Sequence, residues 1–107
     1  MSVEIIVVLV NCATREEAGI IARSLLDSQL AACVSIGAPV ESHYHWEGSR
    51  EQAVEHPLWI KTTRERWPEL EAEVRRLHSY TVPEILALPI AAGSAAYLRW
   101  VAEATTS

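Results

Sequence analysis

An α+β sandwich of two βαβ units, joined through a hairpin and followed by a terminal helix, is what this sequence predicts. Three observations carry the prediction. Apolar, β-branched runs alternate with segments of helical periodicity. Glycine and proline fall between these segments rather than inside them. The chain of 107 residues has room for one core and not for two.

Val3 to Val10 is an apolar run interrupted only by Glu4, and it reads as a central strand. Thr14-Arg15-Glu16-Glu17 forms a capping box, in which the Thr14 hydroxyl serves the Glu17 amide and the Glu17 carboxylate reaches back. Behind it Ala18, Ile21, Ala22, Leu25 and Leu26 recur at helical spacing, which predicts an amphipathic helix over residues 15–29. The segment AACVSIGAPV then reads as a second strand, with Pro39 marking a bulge or bend. It runs on through ESHYHWE to a turn at Gly48-Ser49, and residues 51–63 return as a third strand ending in LWIKTT. Trp67, Leu70, Val74 and Leu77 share one face of a second helix, with Pro68 near its start, where proline is tolerated. Pro83 breaks the chain before a fourth strand, EILALPI, and Gly93-Ser94 caps a short last helix carrying Tyr97, Leu98 and Val101. This order is that of the ferredoxin-like fold in one domain over residues 1–107, with a strand order of 4-1-3-2.

Composition narrows the function. Half of the residues are hydrophobic, 21% are charged, and the formal net charge is −5. Lys61 is the single lysine, and no basic run exists to neutralise phosphates, which argues against nucleic acid as a partner. The N-terminus has no basic leader, and its apolar run is far shorter than the ~20 residues that span a bilayer. A cytoplasmic protein with no membrane partner is therefore expected. Cys12 and Cys33 lie in apolar runs without a C-x-x-C spacing and read as reduced core thiols. In the expected strand order they stand two strands apart, about 9–10 Å, beyond the reach of a disulfide.

Two features call for more than one copy. Strand 1 places Ile5, Val7 and Leu9 on one face and Ile6, Val8 and Val10 on the other, and strand 4 repeats the pattern. Helices cover one face only, so the second needs another cover. The extended stretch Ala31–Glu47 would also run about 55 Å at ~3.3 Å per residue, beyond the core of so small a domain. A closed homo-oligomer meets both demands.

The candidate sites lie at strand and helix ends. On the hairpin, alternation sets Glu41, His43, His45 and Glu47 on one face and Ser42, Tyr44 and Trp46 on the other. The first face reads foremost as a solvated edge and secondly as a metal site, with His56 on the partner strand. His78 follows the second helix, where a partly positive imidazole suits the dipole. Grouped with Trp46, Lys61, Tyr80 and Glu84, it forms a candidate small-molecule cleft. No nucleophile has a recognisable base beside it, and the four glycines form no phosphate loop, so an enzyme is not expected.

Five segments then occur in order: LLDSQLAACVSI, S-x-Y-x-W-x-G (Ser42, Tyr44, Trp46, Gly48), IKTT, H-x-Y-x-x-P-E-I (His78, Tyr80, Pro83, Glu84, Ile85) and YLRW. Along nearly the whole chain they resemble the CutA family of divalent-cation tolerance proteins. The resemblance implies a ferredoxin-like homotrimer built by hairpin exchange, a cytoplasmic setting, and tolerance of copper and other divalent cations. It also implies a likeness to the trimers of PII-type signalling proteins. Small-molecule sensing between subunits and a plain interaction scaffold are therefore the alternative functions. The family's copper ligands are a cysteine near the end of strand 1 and a histidine pair. In this sequence those positions fall on Val10, with Cys12 two residues later, and on Leu77 and His78, with Ser79 in place of the usual proline. His78, His43, His45 and Cys12 are thus the residues through which a divalent cation such as Cu2+ is expected to bind, with no obligatory cofactor.

Overall fold

The computed structural model describes residues 3–106, and its elements follow the expected order. Strand β1 (Ile5–Cys12) leads to helix α1 (Arg15–Asp27), then β2 (Cys33–Ile36), β3 (Val40–Trp46) and β4 (Ser49–Thr63). Helix α2 (Trp67–Leu77), strand β5 (Ile85–Pro89) and helix α3 (Ala95–Ala104) complete the chain. The sheet runs β2-β4-β1-β5 with every pair antiparallel, and β3 pairs with the outer half of β4. This is the expected strand order, with the long second strand cut in two.

The helices start where local chemistry allows. Thr14 Oγ1 accepts the Glu17 amide at 3.0 Å, while the Glu17 carboxylate accepts the amide of Ala13 at 3.2 Å. Pro68 sits in the first turn of α2, where no amide bond is lost. Ser94 occupies the N-cap of α3 but makes no side-chain cap bond, contrary to the sequence reading. The hairpin turn also differs by one residue. Glu47 and Gly48 have φ of 49° and 82°, and Trp46 pairs with Ser49, so the loop is the two residues Glu47-Gly48. Two positive φ angles give the primed turn whose twist matches the strands.

The core lies between one face of the sheet and helices α1 and α2. Val8, Val10, Leu58 and Ile60 meet Ala18, Ile21, Leu25, Leu70 and Val74 there. The α1–β2 loop is tied to the sheet by the buried Thr62 hydroxyl, which donates to the Leu30 carbonyl at 2.6 Å. The Ala32 amide adds a bond to the Lys61 carbonyl. On the other face, α3 packs against β4 and β1, and Ile5 and Thr63 are buried there. The rest of that face is open. Trp59, Leu86 and Leu88 are about half exposed around the partly covered Val7 and Leu9, which pair with them across the ladders.

Between β2 and β3 the register slips by one. Ile36 faces Leu58, but Val40 faces Glu55, so Gly37, Ala38 and Pro39 stand opposite two residues of β4. That extra residue is the bend expected at Pro39. It replaces the single 17-residue strand of the sequence reading, and the molecule is 46 Å in its longest dimension. Cys12 and Cys33 are free and sit at different ends of the sheet, one opposite His56 and the other opposite Lys61.

Glu73 joins the two helices. It accepts a bond from Ser24 of α1 at 2.6 Å and from Arg76 at 2.6 and 2.8 Å, and these donors hold its carboxyl down at about 2. A depressed folded-state pKa stabilises above the unfolded value and is lost as pH falls through the folded one. Glu73→Gln is therefore expected to be less stable than the native chain at neutral pH. Urea melts should show that difference shrinking between about pH 4.5 and pH 2. A gap independent of pH would show that the carboxylate charge is not what holds α1 to α2.

Candidate functional site

Where β1 ends, three segments converge: the start of α1, the outer half of β4, and the loop 78–84. Glu17 clips two of them together. Besides the Ala13 amide, its carboxylate accepts the Ser79 amide at 2.9 Å, across 62 residues of sequence. Burial raises the Glu17 carboxyl, but the bonds from Ser79 and Ala13 and the neighbouring His78 outweigh it and hold the pKa below the ordinary value.

His78 is the residue after α2 and its side chain is fully buried. Its Nε2 lies 2.7 Å from the carbonyl of Asn11, so Nε2 carries the proton and donates. Its Nδ1 accepts the Tyr80 amide at 3.1 Å and lies 3.8 Å from Glu17 Oε2. Two directed bonds, and not charge at a helix end, fix this ring. Cys12 Sγ completes the group, since one ligand atom from each of Cys12, Glu17 and His78 lies within 4.8 Å of the others. Among the described residues this is the one cluster of three such side chains. Burial first, then Glu17 and Glu55, push the Cys12 thiol up to about 12.

Outside this cluster a cleft of about 670 Å³ opens between the hairpin and the loop. Tyr44 and Trp46 line it from β3, Glu55 from β4, and Tyr80, Val82 and Glu84 from the loop and the start of β5. Tyr80 stacks at a tilt on His78, with ring centroids 4.8 Å apart, and its hydroxyl donates to the buried Glu55 at 3.0 Å. Burial and Glu55 push the Tyr80 phenol up to about 12 and the Glu84 carboxyl above its usual value. Asn11 reaches toward Glu84 at 3.5 Å.

Of the expected cleft residues, Trp46, Tyr80 and Glu84 share this cleft, and His78 lies directly behind Tyr80. Lys61 does not. It stands on β4 between Val7 and Cys33, with Nζ 3.4 Å from the Ser35 hydroxyl. The IKTT segment predicts a position at a strand end, but β4 runs on to Thr63 and holds Lys61 between two neighbouring strands, on the open face of the sheet. His43 borders the cleft with its Nε2 on Glu41 at 2.7 Å, both exposed, and His45 is exposed beside it. Neither belongs to the three-residue cluster, so the hairpin histidines are separated from Cys12 and His78. Sequence reading missed Glu55 and Asn11, and it took Glu17 for a cap alone. The capping box was the only available signal for Glu17, because its bond to Ser79 is purely tertiary.

These features define a ferredoxin-like α+β protein with a buried Cys/Glu/His cluster beneath an aromatic, acidic cleft. The sequence matches the model of the family described as CutA1 divalent ion tolerance protein over residues 6–104. It is 46% identical over 99 residues to the divalent-cation tolerance protein CutA of Thermus thermophilus, covering 92% of this chain and 96% of that one. The solved structure of the Thermus thermophilus protein superimposes with a TM-score of 0.93 at 44% identity, over 95% of this chain and 99% of that one. Protein CutA, chloroplastic, of Arabidopsis thaliana is 42% identical over 100 residues, which span 94% of this chain and 55% of that longer protein. The chain belongs to the CutA1 divalent ion tolerance family. That description names a tolerance and not a reaction.

Removal of the Glu17 clip should be costly. Glu17→Ala leaves the Ala13 and Ser79 amides without their acceptor and is expected to destabilise by about 1–3 kcal/mol. Glu16→Ala, an exposed first-turn change, should cost less than about 1 kcal/mol. Equal losses in denaturant melts of the two variants would show that Glu17 acts only through the helix end.

Proposed function

We propose that the chain acts in the cytoplasm as a homotrimer in divalent-cation tolerance, copper included, through weak and exchangeable cation binding rather than catalysis. The observation that carries the assembly is the open sheet face. Trp59, Leu86 and Leu88 lie exposed around Val7 and Leu9, a contiguous apolar surface of the kind that marks an interface. The hairpin gives a second reason, since Tyr44 and Trp46 are nearly half exposed on an arm that a neighbour can receive. Family membership supports the cation role, and the two free cysteines suit a reducing compartment. Among the described residues no helix is long and apolar enough to cross a membrane.

A second reading is favoured by the cleft. Its three aromatic side chains, Tyr44 and Trp46 from the hairpin and Tyr80 from the loop, suit a small ligand held between subunits, as in a PII-like sensor. Trp46, Tyr80 and Glu84 would contact such a ligand, with His78 behind them and Lys61 available only from another copy. The carboxylates of Glu55 and Glu84 in the lining make this pocket a poor host for an anion.

Light scattering of the purified chain should give three times the monomer mass. Leu86→Asp/Leu88→Asp should give a monomer at micromolar concentration, since each buried leucine contributes roughly 1.5–3 kcal/mol per copy. A native monomer would overturn the assembly. Calorimetric titration of the trimer with copper, zinc and nucleotides separates the two readings of ligand. Heat with the cations alone supports cation tolerance by binding, and heat with a nucleotide alone transfers the function to sensing.

A further inference from the structure

The cleft between the hairpin and the loop 78–84 carries negative charge without a counter-charge. Glu55 is 8% exposed, and only its Oε2 is engaged, by the Tyr80 hydroxyl at 3.0 Å. Its Oε1 has no hydrogen-bond donor among the described residues. Glu84 receives only the side-chain amide of Asn11, at 3.5 Å, the outer limit of a hydrogen bond. Among the described residues neither carboxylate forms an ion pair, and no lysine or arginine lines the cleft. His43, which also borders it, is turned onto Glu41 at 2.7 Å. Burial first, then Glu55, hold the Glu84 carboxyl above its ordinary value, as befits a carboxylate that lacks a cation.

A carboxylate taken out of water without a partner is costly, and a cation from outside removes that cost. The walls decide the kind of cation. Tyr44 and Trp46 line the cleft from β3, each nearly half exposed, and Tyr80 lines it from the loop. Aromatic faces are negative and attract a cation, and they bury apolar surface at the same time. We infer that the cleft takes a protonated primary amine on an apolar body, its ammonium on Glu55 and Glu84 and its body against Tyr44, Trp46 and Tyr80. The inference rests on the small-ligand reading of the cleft given above and assigns that ligand its charge and shape.

Other occupants use less of what the cleft offers. A bare metal ion would leave the rings and most of the roughly 670 Å³ unfilled. A quaternary ammonium suits the rings but has no N–H for the free oxygens of Glu55 and Glu84. A primary ammonium brings three donors and still presents its charge to the rings. Tyr80 joins the two halves of the site, since its ring forms part of the wall while its hydroxyl fixes Glu55. Because neither carboxylate is held by a basic side chain, the amine displaces no ion pair on entry.

The probe is 2-phenylethylamine, titrated calorimetrically at neutral pH into the full chain in its native assembly, and one molecule per chain is expected. 2-Phenylethanol keeps the ring and loses the charge, and it should bind at least about tenfold more weakly, as the loss of a hydrogen bond to a charged group predicts. 3-Phenylpropanoate, of similar shape and opposite charge, should give no heat. Glu84→Gln should weaken amine binding at least about tenfold for the same reason. Tyr44→Leu, which keeps apolar bulk and loses the ring, should weaken it about twofold to thirtyfold. Glu103→Gln, on α3 and outside the lining, removes the same charge and should bind as the native chain does. Equal binding of amine and alcohol, or undiminished amine binding in Glu84→Gln, would overturn the amine and leave a small ligand of another class in the cleft. Heat from 3-phenylpropanoate or a nucleotide alone would do the same. Absence of heat from all of these compounds would overturn both the amine and the small-ligand reading.

Discussion

Strand β1 is paired along its whole length with β4 and along most of it with β5, and that double ladder sets the parity of every other residue in the sheet. Even-numbered positions of β1 and β4 face α1 and α2, and odd-numbered ones face the other way. Both sets are apolar in β1, so the ladder that builds the core also creates an uncovered apolar surface. Helix α3 shields one end of it, near Ile5 and Thr63, and leaves Trp59, Leu86 and Leu88 open. The hydrophobic term is proportional to area and indifferent to direction, so the same physics that closes the inner face disfavours leaving this one in water.

The one-residue slip before β3 is the second decision from which the site follows. Without it Tyr44 would stand opposite Arg50, on the helix-side parity. With it Tyr44 stands opposite Glu51, and Ser42 and Trp46 follow onto the parity of Glu55. A single extra residue therefore inverts the faces of the whole arm. It gives the cleft its aromatic wall and turns His43 and His45, opposite Gln52 and Arg50, to the other face of the arm.

The loop 78–84 owes its position to polar bonds more than to packing. Glu17 holds the Ser79 amide, the Asn11 carbonyl holds the His78 ring, and Glu55 holds the Tyr80 hydroxyl. All three anchors come from segments already fixed by α1, β1 and β4. The loop can therefore be short and irregular without leaving buried donors unmatched. The same anchors bring the Cys12 thiol, the Glu17 carboxylate and the His78 imidazole together at the end of β1.

The amino-acid sequence by itself determined the element order, the strand order, the doubly apolar sheet and the bend at Pro39. Periodicity, capping and turn chemistry are local, and each repeats often enough to be read without coordinates. Family membership was equally legible, because five short segments recur in order. Tertiary structure alone decided three things: that Lys61 lies inside the sheet and away from the cleft, that Glu17 serves two distant segments, and that His56 faces Cys12. Each depends on register and on contacts between residues far apart in the chain. No local propensity encodes them, because a shift of one residue in a ladder changes every partner while leaving every local pattern intact.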